Sequence, residues 1–104
     1  MTHPRHGLDD AFLTPVRFSL MAALGARTEM DFRTLRELIE TEDSALSKAV
    51  SHLESAGYVK VTKGYVGNRP RTWVEATAPG RRALRAHVRA LQEIAGGVLD
   101  DESE

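Results

Sequence analysis

Residues 43–57, DSALSKAVSHLESAG, run directly into residues 58–77, YVKVTKGYVGNRPRTWVEAT. On a helical wheel the first stretch divides into two faces. Leu46, Ala49, Val50 and Leu53 recur at the i, i+3, i+4, i+7 spacing of a helix packed on a core. Ser44, Ser47, Lys48, Ser51 and Ser55 lie opposite, flanked by Ala45 and His52. This outer face has short hydroxyls, one lysine and one histidine but no carboxylate, which suits close approach to a polyanion. Thr41, Asp43 and Ser44 are helix-start residues, and Gly57 is a C-terminal stop.

Downstream, Tyr58 to Tyr65 alternates in part and Arg71 to Thr77 is rich in β-formers. The connection holds Gly64, Gly67 and Pro70, so a hairpin with a longer loop is expected, its tip Gly67-Asn68-Arg69-Pro70-Arg71 basic and stiff. Upstream, Phe32, Leu35, Leu38 and Ile39 recur at helical spacing behind Asp31, a plausible cap, and Met30 to Phe32 is either a very short strand or the entry to that helix. The acidic link Glu40-Thr41-Glu42-Asp43 joins it to the polar-faced helix, giving a helix-turn-helix. Thr14-Pro15 starts an earlier helix reaching about Leu24, with Gly25 as its stop, and Leu8 to Leu13 suits a short helical turn. Pro79-Gly80 is expected to break the chain before a last helix over about 81–95. Gly96-Gly97 weakens that helix's end. Residues 1–7 are expected to be loose and the acidic tail 98–104 disordered, leaving 8–97 as the folded domain.

At 104 residues the chain is one domain with a modest core. It has no cysteine, hence no disulfide, thiolate metal site or thiol nucleophile. No apolar run approaches the roughly 18 residues of a membrane span, and no signal-peptide core opens the chain, so a cytoplasmic protein with no membrane partner is expected. Net charge is −1 but it is segregated. Between Ser44 and Arg89 nine basic residues face only Glu54 and Glu75, a balance of +7, and the remainder carries −8. Such a distribution fits a nucleic-acid face on an acidic body. His3 and His6 sit in the loose end, and His52 and His87 lack a ligand-spaced partner, so no metal is expected. No phosphate loop and no paired nucleophile and base are present, so neither an enzyme nor a cofactor is expected.

The stretches TPVRFSLMAAL, MDFRTLREL and ALSKAVSHLESAGYVKVTKGYVGNRPRTWVEATAPGRRAL together resemble the small MarR/ArsR-like winged-helix transcriptional regulators, over roughly residues 8–95. The resemblance implies an α+β, mainly α, winged helix-turn-helix: a three-helix core, a two-stranded β-wing and a C-terminal dimerisation helix. It also implies a homodimer on a roughly palindromic operator in double-stranded DNA, usually as a repressor. Carried over by position, recognition-helix contacts fall on Ser44, Ala45, Ser47, Lys48, Ser51 and His52, and wing contacts on Lys63, Asn68, Arg69 and Arg71. Glu42 and Asp43 precede the recognition helix and would repel DNA if they pointed at it.

Each residue also has a plainer account. Lys48 and the serines suit a solvated helix surface, and His52 a bystander. Trp73 is read as a packing anchor of the hairpin, and Arg81, Arg82, Arg85 and Arg89 as a solvated face. Leu84, Val88 and Leu91, with Leu8, Phe12, Phe18 and Met21 near the first helix, form an expected two-fold interface. The alternative is that they close the monomer's own core. Two other functions stay open: a winged-helix module that binds protein, and a sensor of an unidentified small-molecule effector at the dimer interface.

Overall fold

The computed structural model describes residues 2–25 and 29–102. Two 3-10 turns, Pro4–Gly7 and Asp10–Phe12, precede helix α1 (Pro15–Gly25). Then come a short strand β1 (Met30–Asp31), helices α2 (Phe32–Leu38) and α3 (Asp43–Ser55), the hairpin β2 (Val59–Val66) and β3 (Arg69–Ala76), and helix α4 (Ala78–Glu102). The sheet is antiparallel in the order β1-β3-β2, so a third strand joins the expected two-stranded wing. Helix-turn-helix, wing and closing helix make this a winged helix.

Local chemistry sets most boundaries. The Arg17 N–H donates to Thr14 Oγ1 at 3.2 Å, the side-chain cap that starts α1 ahead of Pro15. Asp31 caps α2 by accepting from the N–H and the hydroxyl of Thr34. The wing turn is tighter than expected. Only Gly67 and Asn68 lie between the strands, and the positive φ of 61° falls on Gly67, the first of the two, as in a type II′ turn. Pro70 is then no obstacle. The pair that closes such a turn, Val66 with Arg69, is hydrogen-bonded, so the next pair, Tyr65 with Pro70, needs no N–H from the proline.

Helix α4 departs from expectation at both ends. It starts at Ala78 because Thr77 is its cap, with Thr77 Oγ1 accepting from the Gly80 N–H at 3.0 Å. Pro79 falls in the first turn, where no N–H is required. Gly80 is buried so tightly that a Cβ there would stand 2.2 Å from the Tyr58 carbonyl oxygen. The far end runs through Gly96 and Gly97 to Glu102, so the acidic residues 100–102 continue the helix, while 103 and 104 lie outside the described residues. At about 1.5 Å per residue, α4 dominates the 58 × 26 × 22 Å molecule. The N-terminal segment also packs on this helix. Pro4–Gly7 forms a turn, and Gly7 lies against α4 closely enough that a Cβ would meet Ala90 Cβ at 3.2 Å.

The core joins Leu20, Met21 and Leu24 of α1 to Leu35, to Leu46, Ala49, Val50 and Leu53 of α3, and to Val59, Val74 and Ala76 of the sheet. Phe12 and Met21 belong to this interior, at 3% and 0% exposure, and leave nothing for a second chain. Phe18 and Leu84 pack against it, half-buried. The apolar surplus on α1 therefore closes the monomer, because α1 is enclosed by the 3-10 turn, α3, β3 and α4 at once. Phe12 and Met21 are withdrawn from the interface set, and Phe18 and Leu84 keep part of their surface open.

A polar hub lies beside that core. The Asp9 N–H donates to His87 Nδ1 at 3.0 Å, and its carboxylate accepts from the Ala11 N–H and the Tyr58 hydroxyl. The Phe12 ring stacks on Tyr58 and meets His87 edge-on, with centroids 5.4 Å apart in each case. Burial pushes the His87 imidazole below its ordinary pKa, against an opposing pull from Asp9. The hydrogen bond to Asp9, aided by burial, raises the Tyr58 phenol. Three elements distant in sequence meet here.

Candidate nucleic-acid interface

The outer face of α3 is open. Ser44, Ser47, Lys48, Ser51 and His52 are exposed and Ala45 is half-buried, while the opposite stripe is fully in the core. Ser47, Lys48, Ser51, His52 and Ser55 line one shallow concave surface along the helix.

Two turns hold α3, and both are Schellman motifs. At its exit, the Gly57 N–H donates to the Glu54 carbonyl and the Tyr58 N–H to Leu53, each at 2.9 Å, with Gly57 at φ 79°. At its entry, α2 ends the same way: Glu40 N–H to the Glu37 carbonyl and Thr41 N–H to Arg36, at 3.3 and 3.2 Å. The left-handed position there is Glu40, at φ 54°. The cap of α3 is Glu42, which makes no side-chain capping hydrogen bond. Asp43 is engaged by Arg36, with Nη1 2.7 Å from Oδ1. One of the two carboxylates that threatened to repel a polyanion is thus neutralised from within the motif.

Strand register decides what the wing presents. Val59 with Ala76, Val61 with Val74, Lys63 with Thr72, and Tyr65 with Pro70 share the face that begins in the core and turns toward α3. Lys60 with Glu75, Thr62 with Trp73, Gly64 with Arg71, and Val66 with Arg69 share the other face. Lys63 therefore joins Ser47, Ser51 and Thr72 around a groove between α3 and the wing. Arg69 and Arg71 stand on the opposite side, and Asn68 is exposed at the turn between the strands. Trp73 covers Gly64, where a Cβ would stand 3.0 Å from its Cζ3, which fits a packing anchor.

Several residues of this surface escaped the sequence reading. Glu54 and Thr72 line the same groove, and Tyr65 projects beyond it at 74% exposure. Only the hairpin register, set by the two-residue turn, shows that Thr72 and Tyr65 lie on the wing face turned toward α3. Arg81 also proves structural, since its Nη1 donates to the Ala76 carbonyl at 2.9 Å. Of the interface residues, Leu8 and Val88 are half-buried and Leu91 is 37% exposed. Ile94 at 40% and Val98 at 62% extend the apolar stripe beyond the core. Among the described residues no group of three His, Asp or Glu side chains is placed to hold a metal ion, and no helix is long and apolar enough to cross a membrane.

A sequence model described as the winged helix DNA-binding domain matches residues 16–95. The chain is 24% identical over 87 residues to the uncharacterized protein MJ0432 of Methanocaldococcus jannaschii, a match spanning 84% of this chain and 95% of the other. A transcriptional regulator homologue from Pyrococcus horikoshii superposes with a TM-score of 0.78 at 27% identity, over 85% of this chain and 87% of that one. The regulator MOSR of M. tuberculosis, solved in complex with DNA, has the same fold at a TM-score of 0.69 and 24% identity, over 91% and 68% of the two chains. MarR-family regulators are among the other solved structures it matches in fold.

Proposed function

This chain belongs to the winged helix DNA-binding domain family, and on that premise we propose that it is a sequence-specific, homodimeric transcriptional repressor. Helix α3 enters the major groove, and the wing takes the adjacent minor groove. The observation that carries this reading is the outer face of α3, where Ser44, Ser47, Lys48, Ser51 and His52 stand exposed with no carboxylate among them. Lys48 matches the O6 and N7 acceptors of guanine, and the serine hydroxyls match phosphates or base edges. The wing adds Lys63 on one side and Arg69 and Arg71 on the other.

Dimerisation rests on α4. Leu91, Ile94 and Val98 recur at spacings of three and four on the part of the helix that outruns the core, a seam suited to a second copy about a two-fold axis. Two recognition helices so related would read half-sites about one helical turn, or ~34 Å, apart. Repression would then follow from occupying promoter DNA.

The test is fluorescence anisotropy with the DNA upstream of the protein's own gene against a scrambled duplex, at two salt concentrations. Preference for the upstream duplex, with affinity falling steeply in salt, supports the reading. Lys48→Ala should erode that preference. Absence of binding to either duplex rejects it in favour of a protein-binding module. Sedimentation of Ile94→Glu, expected to run as a monomer, tests the dimer separately.

A further inference from the structure

Along the edge of β3, beside the start of α2, lies a second basic surface. Strand β1 ends at Asp31, opposite Trp73, so among the described residues no strand pairs with the edge of β3 from Arg69 to Thr72. Facing that edge is the start of α2. Between them opens a cleft of about 330 Å³, lined by Arg33, Arg69, Arg71 and Thr72, with Phe32 and Asp31 at its side. Three arginines from two separate elements thus line one opening.

The single carboxylate there is already occupied. Asp31 accepts from the Thr34 N–H and hydroxyl, and its carboxyl is held below the usual range first by that hydroxyl and, more weakly, by Arg71. Arg33 Nε is 3.3 Å from Glu37 Oε1, but both side chains are largely exposed, and such a pair binds weakly in water. Planar guanidinium forks match the oxygens of a phosphodiester.

We propose that Arg33, Arg69 and Arg71 form one phosphate-binding cleft that grips the DNA strand on the far wall of the minor groove. This rests on the DNA-binding reading above and assigns Arg33 to it. The argument is steric as well as electrostatic. A wing that enters a groove about 6 Å wide meets both walls. Its α3-facing side, with Lys63 and Tyr65, meets the strand that the recognition helix and wing straddle. Its outer side, with Arg69 and Arg71, meets the other strand, and Arg33 extends that contact onto α2.

The experiment measures the salt dependence of binding to a mixed-sequence duplex for the parent, Arg33→Gln and Lys48→Gln. Losing one phosphate contact lowers the slope of log K against log salt by about 0.9, which is roughly eightfold in affinity at about 0.1 M salt. Arg33→Gln is expected to show that loss, together with lost hydroxyl-radical protection at the outer margin of the footprint. Glu37→Gln, which frees Arg33, is expected to bind more tightly than the parent. An unchanged slope for Arg33→Gln beside a reduced one for Lys48→Gln overturns the cleft and leaves the DNA-binding reading intact. A parent without salt-dependent affinity overturns both.

Discussion

The two turns that bracket α3 share one backbone geometry and differ in almost everything that holds it. At the exit the left-handed residue is Gly57, at φ 79°. Its carbonyl accepts from the Thr77 hydroxyl at 2.7 Å, the Tyr58 carbonyl accepts from the Thr77 N–H at 3.0 Å, and the Tyr58 hydroxyl reaches Asp9. Gly80 closes against the same Tyr58 carbonyl. At the entry the left-handed residue is Glu40, the cap Glu42 makes no side-chain capping hydrogen bond, and the link across the turn is the Arg36–Asp43 pair. The recognition helix is thus bolted to the wing and α4 at its C-terminal end and lightly held at its N-terminal end. The exit turn therefore ties α3 directly to residues that flank the wing and start α4, and the entry turn ties it only to α2.

The largest expected effect breaks the exit. In Gly80→Ala the new methyl meets the Tyr58 carbonyl oxygen at 2.2 Å and Met21 Cε at 2.8 Å, a clash with backbone that a rotamer change does not relieve. Urea unfolding should show a loss of about 3 kcal/mol or more.

Next comes acid, acting through His87 on the hub that anchors Tyr58. His87 is 2% exposed, and its Nδ1 accepts a hydrogen bond, so the folded state holds it neutral with its pKa below the ordinary 6.5. The unfolded chain then binds the extra proton first. The stabilisation is complete above pH 6.5 and is lost as pH falls toward the folded value, by at most about 1.4 kcal/mol per pH unit. The carboxylate of Asp9 opposes this and sets how far the shift extends. Thermal melts of the parent should lose stability below pH 6.5 more steeply than those of His87→Gln.

A matched pair then sharpens the comparison between the turns. Gly57→Ala places a Cβ in open space, with nothing within 4 Å, so its penalty is conformational alone, about 1 kcal/mol. Glu40→Gly removes the corresponding strain at the entry and should stabilise by about 0.5 kcal/mol, since glycine's own entropy offsets part of the gain. Equilibrium unfolding of both variants checks the signs. A stabilised Glu40→Gly with unchanged DNA affinity would show that the strained entry serves no adjustment on binding.

What the sequence by itself determined is what short-range chemistry controls. Thr14-Pro15, Asp31 and Gly57 mark helix ends through bonds that span a few residues, and the Leu46, Ala49, Val50, Leu53 stripe needs only the helical repeat. Those features were enough to place a polar-faced helix before a basic hairpin and so to indicate the winged helix. The same local reading failed where distant segments meet. Pro79-Gly80 looks like a break until the Tyr58 carbonyl supplies the reason for the glycine and Thr77 caps the helix. Phe12 and Met21 look like surplus until the N-terminal turn, α1, α3 and α4 enclose them. His87 looks unattached until Asp9 arrives from the other end of the chain. The division of the wing into a lysine side and an arginine side turns on register, because shifting a strand by one residue exchanges its two faces. Only the tertiary structure decided that, and with it which basic groups act together.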